Sequence, residues 1–472
     1  MPGTTPSIIQ GGMGVGVSSW QLARAVARTG QLGVVSGTAL DAVLARRLQD
    51  GDPDHHARRA LADFPDQTMV ARALDRYFLP EGREPGRPYR PTPKPALKPS
   101  RHAQELTVLG NYVEVWLAKQ GHDGSVGINF LEKIQLATPA AALGAMLAGV
   151  DVVLMGAGVP REIPQLLTDL AAGSVAGVGV DVHGAEERSR IEVDPVHLLG
   201  AHLPPLRRPR FLAIVSATVL AAYLARDEST RPDGFVIEGP VAGGHNAPPR
   251  GTLVLGDDGE PVYGARDAVD LDKVAALGLP FWLAGGHGTP EGLAAARSAG
   301  AAGVQVGTLF ALAAESGLRP ELLDQVRTGL GSDSLRVRTD VRSSPTGFPF
   351  KVARLDGTLS EPEVYTERER LCDLGYLRTP YLTAAGRVGY RCPGEPVAAY
   401  QRKGGDVADT VGRMCLCNAL TADVGLGQTR PDGYQEPGLV TLGTDLDGPR
   451  RLLERHPDGW TAAEAVAWIE GR

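Results

Sequence analysis

The stretch PFWLAGGHGTPEGLAAARSAGAAGVQVGT, residues 280–308, contains a complete strand–helix–strand unit. Its two ends, PFWLAG and GVQVGT, are short apolar runs that lead into glycine, and an Ala- and Leu-rich stretch separates them. Apolar runs of this length are typical of strands that are buried on both faces, as in parallel sheets. The stretch therefore predicts two parallel strands joined by a helix.

The same pattern occurs six more times along the chain. The further runs are 7–12 (SIIQGG), 32–37 (LGVVSG), 125–130 (SVGINF), 150–156 (VDVVLMG), 211–216 (FLAIVS) and 234–239 (GFVIEG). Eight apolar strands that alternate with helical stretches favour a closed TIM (β/α)8 barrel over an open antiparallel sheet. A strand-like run at 175–182 is a ninth candidate.

Two segments interrupt the repeat and define the predicted domains. We assign 1–44 and 123–335 to the barrel. Residues 45–122 form a helical and proline-rich insertion after the second strand, and its end, EGREPGRPYRPTPKPALKPS, has too many prolines for regular helix or central strand. Residues 336–472, which contain all four cysteines, are predicted to be an accessory C-terminal region.

Composition and charge restrict the class of protein. The chain has 472 residues, 43% of them hydrophobic and 22% charged, which is typical of a globular protein with more than one structural unit. A formal net charge of −7 argues against nucleic acid or an anionic membrane as the main partner. The N-terminus lacks the charged and apolar regions of a signal peptide, so we expect a cytoplasmic location.

Two identical strings, AGGH at 242–245 and at 284–287, each follow the C-terminal end of a predicted strand. Active-site groups of barrel enzymes lie on that face. His245 is our candidate acid or base, because imidazole titrates near neutral pH. The loops after the last two strands commonly bind phosphate, which indicates a mononucleotide site at Gly285, Gly286, Gly307 and Thr308.

The four cysteines are Cys372, Cys392, Cys415 and Cys417. Clustered cysteines with a Cys-x-Cys step favour a zinc or iron–sulfur site in a cytoplasmic protein. The alternative is that they are small buried hydrophobic side chains, as free cysteines commonly are. The spacing leaves both interpretations open.

The motifs IIQGGM (8–13), GIN (127–129), AGGH (242–245), AGG (284–286) and GVQVGTLF (303–310) occur in this order along the chain. Together they resemble the nitronate monooxygenase (2-nitropropane dioxygenase) family. They are also similar to its relatives, the FMN-dependent enoyl-acyl-carrier-protein reductases of polyunsaturated fatty acid and polyketide synthases. The long insertion and the cysteine-containing tail look like those of the polyunsaturated-synthase branch.

The resemblance implies a barrel that binds FMN without a covalent link. The residues expected at the cofactor are Gly11, Gly12, Met13, Asn129, Gly243 and Gly244, with Gly285, Gly286, Gly307 and Thr308 at its phosphate. The family's catalytic histidine falls on His245. Glu238 takes a position that is often Gln in the monooxygenases, which changes the charge of one flavin contact. The loop after His245, NAPPRG, is longer than in typical monooxygenases and would reshape the substrate pocket.

Three functions remain open from the sequence. The first is oxidation of a nitronate or nitroalkane by FMN and oxygen to a carbonyl compound and nitrite. The second is reduction of an enoyl thioester by FMN with NAD(P)H as cosubstrate, in which His245 protonates the α-carbon. The third is a flavin-binding subunit that docks on a multienzyme complex. A homodimer is compatible with each of them.

Overall fold

The computed structural model describes residues 5–472. Fourteen strands occur in this part of the chain. They are β1 (Ile8–Gln10), β2 (Gly33–Ser36), β3 (Val126–Leu131), β4 (Val152–Gly156), β5 (Ala176–Val180), β6 (Ser189–Val193), β7 (Arg210–Val215), β8 (Gly234–Glu238), β9 (Phe281–Ala284), β10 (Gly303–Val306), β11 (Val337–Asp340), β12 (Phe350–Ala353), β13 (Thr379–Leu382) and β14 (Val388–Arg391).

Eighteen α-helices and four short 3₁₀ helices accompany these strands within residues 5–472. The helices are α1 (Trp20–Ala27), α2 (Leu40–Gln49), α3 (His56–Ala62), α4 (Gln67–Tyr77), α5 (Arg101–Ala118), α6 (Thr138–Leu147), α7 (Ile163–Ala171), α8 (Pro195–Leu199), α9 (Thr218–Arg226), α10 (Leu271–Ala275), α11 (Pro290–Ser298), α12 (Thr308–Ala311), α13 (Pro320–Gly331), α14 (Pro362–Glu367), α15 (Val397–Arg402), α16 (Leu416–Ala422), α17 (Asp447–Arg455) and α18 (Ala462–Ile469). The 3₁₀ helices are Glu132–Ala137, Gly200–His202, Ala265–Asp267 and Val407–Thr410.

Eight strands form one parallel sheet in the order β1-β10-β9-β8-β7-β4-β3-β2. The sheet closes on itself because Ile9 bridges Leu32, with backbone hydrogen bonds on both sides of that pair. Each of the eight strands coincides with a predicted apolar run, so the TIM barrel predicted from the sequence is confirmed. The ninth candidate, 175–182, contains β5, which pairs antiparallel with β6 outside the barrel.

The barrel interior is a small core of inward-facing side chains from the strands. Its buried members are Ile9, Leu32, Val34, Val152, Leu154, Leu212, Ile214, Val236, Trp282 and Ala284. Trp282 is the largest of them, and its indole N–H donates to the carbonyl of Pro6 at 2.8 Å. These side chains fill one end of the barrel, and a cavity can form at the other end, where the strands have their C-termini.

The longest helix, α5, lies within the predicted insertion but packs against α1, α2 and α6 as part of the ring of helices around the barrel. Two buried carboxylates on it are paired with arginines: Glu105 with Arg72, and Glu114 with Arg47. These charges also make α5 unlike a membrane-spanning helix. In residues 5–472, no helix combines the length and apolar character that crossing a bilayer requires.

The C-terminal region, residues 336–472, is folded onto the barrel. Its strand β12 runs beside the loop after β8, and α17 and α18 pack against the helices that follow the last barrel strands. Two buried indole N–H groups in this region donate to barrel carbonyls, Trp460 to Leu309 and Trp468 to Gly288. The barrel and residues 336–472 therefore share one hydrophobic core.

The contact between α5 and α6 depends on Gly144, where a Cβ atom would lie 2.2 Å from the backbone carbonyl oxygen of Val108. We expect Gly144→Ala to lower the free energy of unfolding by about 1–3 kcal/mol, because two helix backbones must separate. The control is Gly331→Ala at the exposed end of α13, where the nearest atom is a side-chain methyl at 3.7 Å. That variant should be neutral or slightly stabilised. Denaturant unfolding checks both, and equal stabilities would contradict the prediction.

Candidate active site

A large cavity opens at the C-terminal ends of the barrel strands. It contains every residue predicted to bind the cofactor or to act in catalysis. These are Gly11, Gly12, Met13, Asn129, Glu238, Gly243, Gly244, His245, Gly285, Gly286, Gly307 and Thr308. The topology explains this convergence, since the loops after all eight parallel strands meet at the same end of the barrel.

The loop between β1 and α1 is held flat against one wall of the cavity. The Ser18 hydroxyl donates to the carbonyl of Gly11 at 2.8 Å and accepts from the N–H of Met13 at 2.9 Å. Gly12 lies so close to Asn129 that a Cβ atom on it would be 2.3 Å from the Asn129 Cβ. The missing side chain brings bare backbone to the cavity surface, where a planar ring would contact it.

Two amide side chains present unused acceptors at the cavity. Asn129 donates its Nδ2 to the carbonyl of Gly12 at 3.1 Å, which leaves Oδ1 facing away from that bond. Within residues 5–472, neither Asn129 Oδ1 nor Gln305 Oε1 has a hydrogen-bond partner, although both atoms are buried. Buried acceptors are normally satisfied, so two of them in one cavity indicate a ligand with N–H or O–H donors.

Glycines also shape the part of the cavity that follows β9 and β10. Gly285 and Gly286 follow β9 with φ values of 90° and 76°, a conformation that L-residues rarely adopt. Gly307 follows β10, and Thr308 begins α12 next to it. The Thr308 hydroxyl accepts from the N–H of Gly443 at 2.9 Å, so the C-terminal region holds this side chain in place.

His245 is positioned by a short antiparallel pairing with β12. Lys351 N–H donates to the carbonyl of Gly244 at 2.9 Å, and Asn246 N–H donates to that of Pro349 at 2.9 Å. The His245 ring packs edge-on against the Phe350 ring, with centroids 4.9 Å apart. Residues of the C-terminal region thus determine where the His245 imidazole lies.

The environment of His245 keeps its ring neutral. Burial, with a smaller contribution from the charge of Lys133, lowers the pKa of His245 to about 3. Its Nε2 is hydrogen-bonded to the Ser344 hydroxyl at 2.7 Å, and Ser344 is bonded in turn to Thr346 at 2.8 Å. A ring that is neutral near pH 7 orients a polar ligand well but is a weak acid–base group.

Glu238 ends β8 and Lys351 lies in β12, and burial shifts the pKa of both groups. Burial raises the pKa of Glu238 to about 7 against the opposing effect of Lys351, and burial lowers the pKa of Lys351 to about 8. The Lys351 Nζ donates to the Thr339 hydroxyl. Sequence reasoning missed Lys351, although it is the one charge within the run FPFKVA, 348–353.

The C-terminal region also supplies an apolar side to the cavity, which the sequence did not predict. The contributing side chains include Phe350, Tyr376, Leu377, Leu416, Cys417 and Leu420. No motif in residues 336–472 pointed to the barrel, because these contacts join positions that are far apart in sequence. This region is a wall of the site rather than an accessory to it.

The predicted metal site at Cys372, Cys392, Cys415 and Cys417 receives no support. All four cysteines are free thiols, and burial raises the pKa of each of them, to about 12 for Cys417. In residues 5–472, no three His, Cys, Asp or Glu side chains are grouped so that they could hold a metal ion. Of the four, Cys392 is buried and the other three are partly exposed.

The low pKa of His245 predicts a pH dependence of stability. Between about pH 3 and 6.5, the unfolded chain binds a proton at this residue and the folded chain does not, so stability falls on acidification. We expect His245→Gln to reduce the slope of unfolding free energy against pH by up to about 1.4 kcal/mol per pH unit in this window. His202→Gln, at an exposed histidine, is the control. Equal slopes in wild type and His245→Gln would refute the assignment.

Comparison with known proteins identifies part of the chain. Residues 206–347 match the model of the family described as nitronate monooxygenase. A Mycobacterium tuberculosis protein, named (3aS,4S,5R,7aS)-5-hydroxy-7a-methyl-1-oxo-octahydro-1H-indene-4-carboxyl-CoA dehydrogenase, is 29% identical over 231 residues, 45% of this chain. The Rhodococcus jostii protein of the same name is 30% identical over 146 residues, 31% of this chain. The matches span 60% and 35% of the lengths of these two relatives.

Two solved structures are similar over almost the whole chain. FabK from Thermotoga maritima has a TM-score of 0.47 at 16% identity, covering 98% of this chain and 91% of its own. Nitroalkane oxidase from Streptomyces ansochromogenes has a TM-score of 0.47 at 16% identity, covering 99% and 95%. Over residues 206–347, which include His245 and Gly285 to Thr308, the chain carries the sequence signature of the nitronate monooxygenase family, and the resemblance predicted from its motifs is confirmed.

Proposed function

We propose that this protein is an FMN-dependent oxidoreductase whose cofactor lies in the cavity at the C-terminal end of the barrel. The observation that carries the proposal is the pair of buried, unpartnered acceptors, Asn129 Oδ1 and Gln305 Oε1, on residues that line one glycine-rich cavity. FMN offers donors to such acceptors, namely the N3–H of its isoalloxazine ring and the hydroxyls of its ribityl chain. Its ribityl phosphate suits backbone N–H groups after the last two strands.

The residues present fit FMN. Gly12 and Met13 offer backbone to the ring, and Gly285, Gly286 and Gly307 present backbone without side chains to the same cavity. One carboxylate stands nearby, because Asp445 Oδ2 lies 3.0 Å from the position of a Cβ atom on Gly286. Asp445 is exposed, so it borders the phosphate end from the solvent side.

When bound, FMN supplies electron or hydride transfer, and the chain supplies position and electrostatics. Asn129 and Gln305 would hold the cofactor by accepting hydrogen bonds from its N–H and O–H groups. The neutral His245 imidazole, held by Ser344, orients a polar group of the substrate. The side chains of Leu377, Leu416 and neighbouring residues keep water from the reacting atoms.

The first candidate reaction is oxidation of a nitronate to a carbonyl compound and nitrite. It is supported by the family model that matches residues 206–347, the segment that carries His245 and Glu238. A nitronate is already deprotonated, so its oxidation does not require a strong base. This suits a histidine whose pKa burial lowers to about 3.

The second candidate is reduction or oxidation of a thioester substrate with NAD(P)H or NAD(P)+ as cosubstrate. It is supported by the apolar side of the cavity, where Leu131, Ile134 and Leu420 extend the lining beyond what a small nitronate would contact. The two curated relatives are named as dehydrogenases of a carboxyl-CoA compound, which is a thioester with a bulky hydrophobic acyl group.

FMN binding tests the cavity directly. Asn129→Leu removes one acceptor and should weaken FMN binding about 3- to 10-fold, the effect of losing one neutral hydrogen bond. Asn111→Leu is a matched control, because Asn111 also donates Nδ2 to a backbone carbonyl and has an unpartnered Oδ1 but lies in helix α5, outside this cavity. Its FMN affinity should equal that of the wild type. Fluorescence titration of the apoprotein measures both, and equal weakening in the two variants would count against the assignment.

Anaerobic mixing of the FMN-loaded protein with possible reductants separates the two reactions. Loss of flavin absorbance with propyl nitronate, and none with NADH or NADPH, is the expected result for nitronate oxidation. Fast loss with a nicotinamide, followed by reoxidation with an enoyl thioester such as crotonyl-coenzyme A, is expected for the second reaction. If no FMN binds at all, the proposed function fails.

A further inference from the structure

Glu238 is placed where a reacting group would be, at the C-terminal end of β8 and in the wall of the cavity. Its carboxyl group is partly accessible from the cavity and is otherwise enclosed by protein. No hydrogen bond from residues 5–472 contributes to its pKa, and Lys351 is the charged neighbour that does. An ionisable carboxyl that faces a cavity without a fixed partner is free to exchange a proton with a ligand.

His245 is less suited to that exchange. Its Nε2 is engaged by the Ser344 hydroxyl at 2.7 Å, and its ring is covered by Phe350. Burial holds the pKa of His245 near 3, whereas burial raises the pKa of Glu238 to about 7. A proton-transfer group works best when its pKa lies close to the working pH, which is true of Glu238 and not of His245.

Polar groups continue behind Glu238 toward the surface. Lys351, itself buried, donates to the Thr339 hydroxyl, and the Thr339 N–H donates to Glu260 Oε2 at 2.8 Å. Glu260 is partly exposed. The other titratable groups near Glu238 are Tyr263, whose pKa its charge helps to raise, and His245 on the following loop. The charge of Lys351 is thus shared by two carboxylates, because Glu260 and, less strongly, Glu238 both raise its pKa against the effect of burial.

We infer that Glu238 is the proton-transfer residue of this site, and that the substrates are carbon acids such as nitroalkanes or acyl thioesters. The inference rests on the proposed function for the identity of the site. In the step, the C–H bond beside the nitro or carbonyl group breaks and its proton forms an O–H bond on a Glu238 oxygen. The electron pair moves onto the nitro or carbonyl oxygen. No oxidant is consumed.

The test is solvent-deuterium exchange into nitroethane and butyryl-coenzyme A by the FMN-loaded protein without oxygen, followed by NMR. Glu238→Gln keeps the shape of the side chain and removes the titrating proton. We expect it to slow exchange into one or both probes about 10²- to 10⁴-fold, the usual contribution of a positioned acid–base group. Its far-UV circular dichroism spectrum should match that of the wild type, which shows that the variant is folded.

Lys351→Met tests whether the titrating group is Glu238. Because Lys351 lowers the pKa of Glu238, its removal should move the midpoint of the pH–exchange profile upward. His245→Gln should leave that midpoint in place. If Glu238→Gln exchanges at the wild-type rate, or if the titration disappears in His245→Gln and persists in Glu238→Gln, the inference is overturned.

Infrared spectroscopy gives a readout that does not depend on turnover or on FMN. A carboxyl C=O band that titrates near neutral pH should be absent from Glu238→Gln. The spectrum of Glu238→Gln is subtracted from that of the wild type, because a second carboxyl also titrates near neutral pH. Burial raises the pKa of Asp423 to about 8, and Asp423 lies outside the cavity. If FMN does not bind, the proposed function fails, but this band still shows whether Glu238 titrates. If the infrared spectrum of Glu238→Gln equals that of the wild type, the inference is overturned.

Discussion

The backbone pairing between residues 244–246 and 349–351 is the contact on which the site depends. Two hydrogen bonds of 2.9 Å attach β12 to the loop after β8, and they set the positions of His245, Phe350 and Lys351 together. A glycine at 244 is needed for this arrangement, since its φ is 79°. The barrel alone would present a loop at the end of β8, and the pairing converts that loop into one wall of an enclosed cavity.

Much of the fold could be predicted from the sequence, because its signal is local. A run such as GVQVGT at 303–308 is short, apolar and followed by glycine whatever the rest of the chain does, and all eight runs of this kind became barrel strands. The position of the glycine pairs at the cavity could also be predicted, since they directly follow strands. The cavity therefore contains all the residues expected at the cofactor.

The remaining features depend on contacts that have no local signature. Ser344 and Lys351 reach the site only because β12 pairs with a loop far away in sequence. The cysteines left two interpretations open in the sequence, and among residues 5–472 no three His, Cys, Asp or Glu side chains are grouped to hold a metal ion. Residues that are close in sequence form one site only where the backbone between them is regular enough to hold their side chains together.

Helix α18 packs against α1 and α11, and Gln31 donates to Glu470 at 2.9 Å. Helix α18, which is synthesised late, thus covers helix α1, which is synthesised much earlier. Synthesis proceeds at about 5–20 residues per second. The surface of α1 that α18 covers therefore stays exposed for many seconds. During this interval the nascent barrel exposes apolar surface to which a chaperone could bind. This protein therefore completes its core after translation of the barrel has ended, although each barrel strand and helix can form as it emerges.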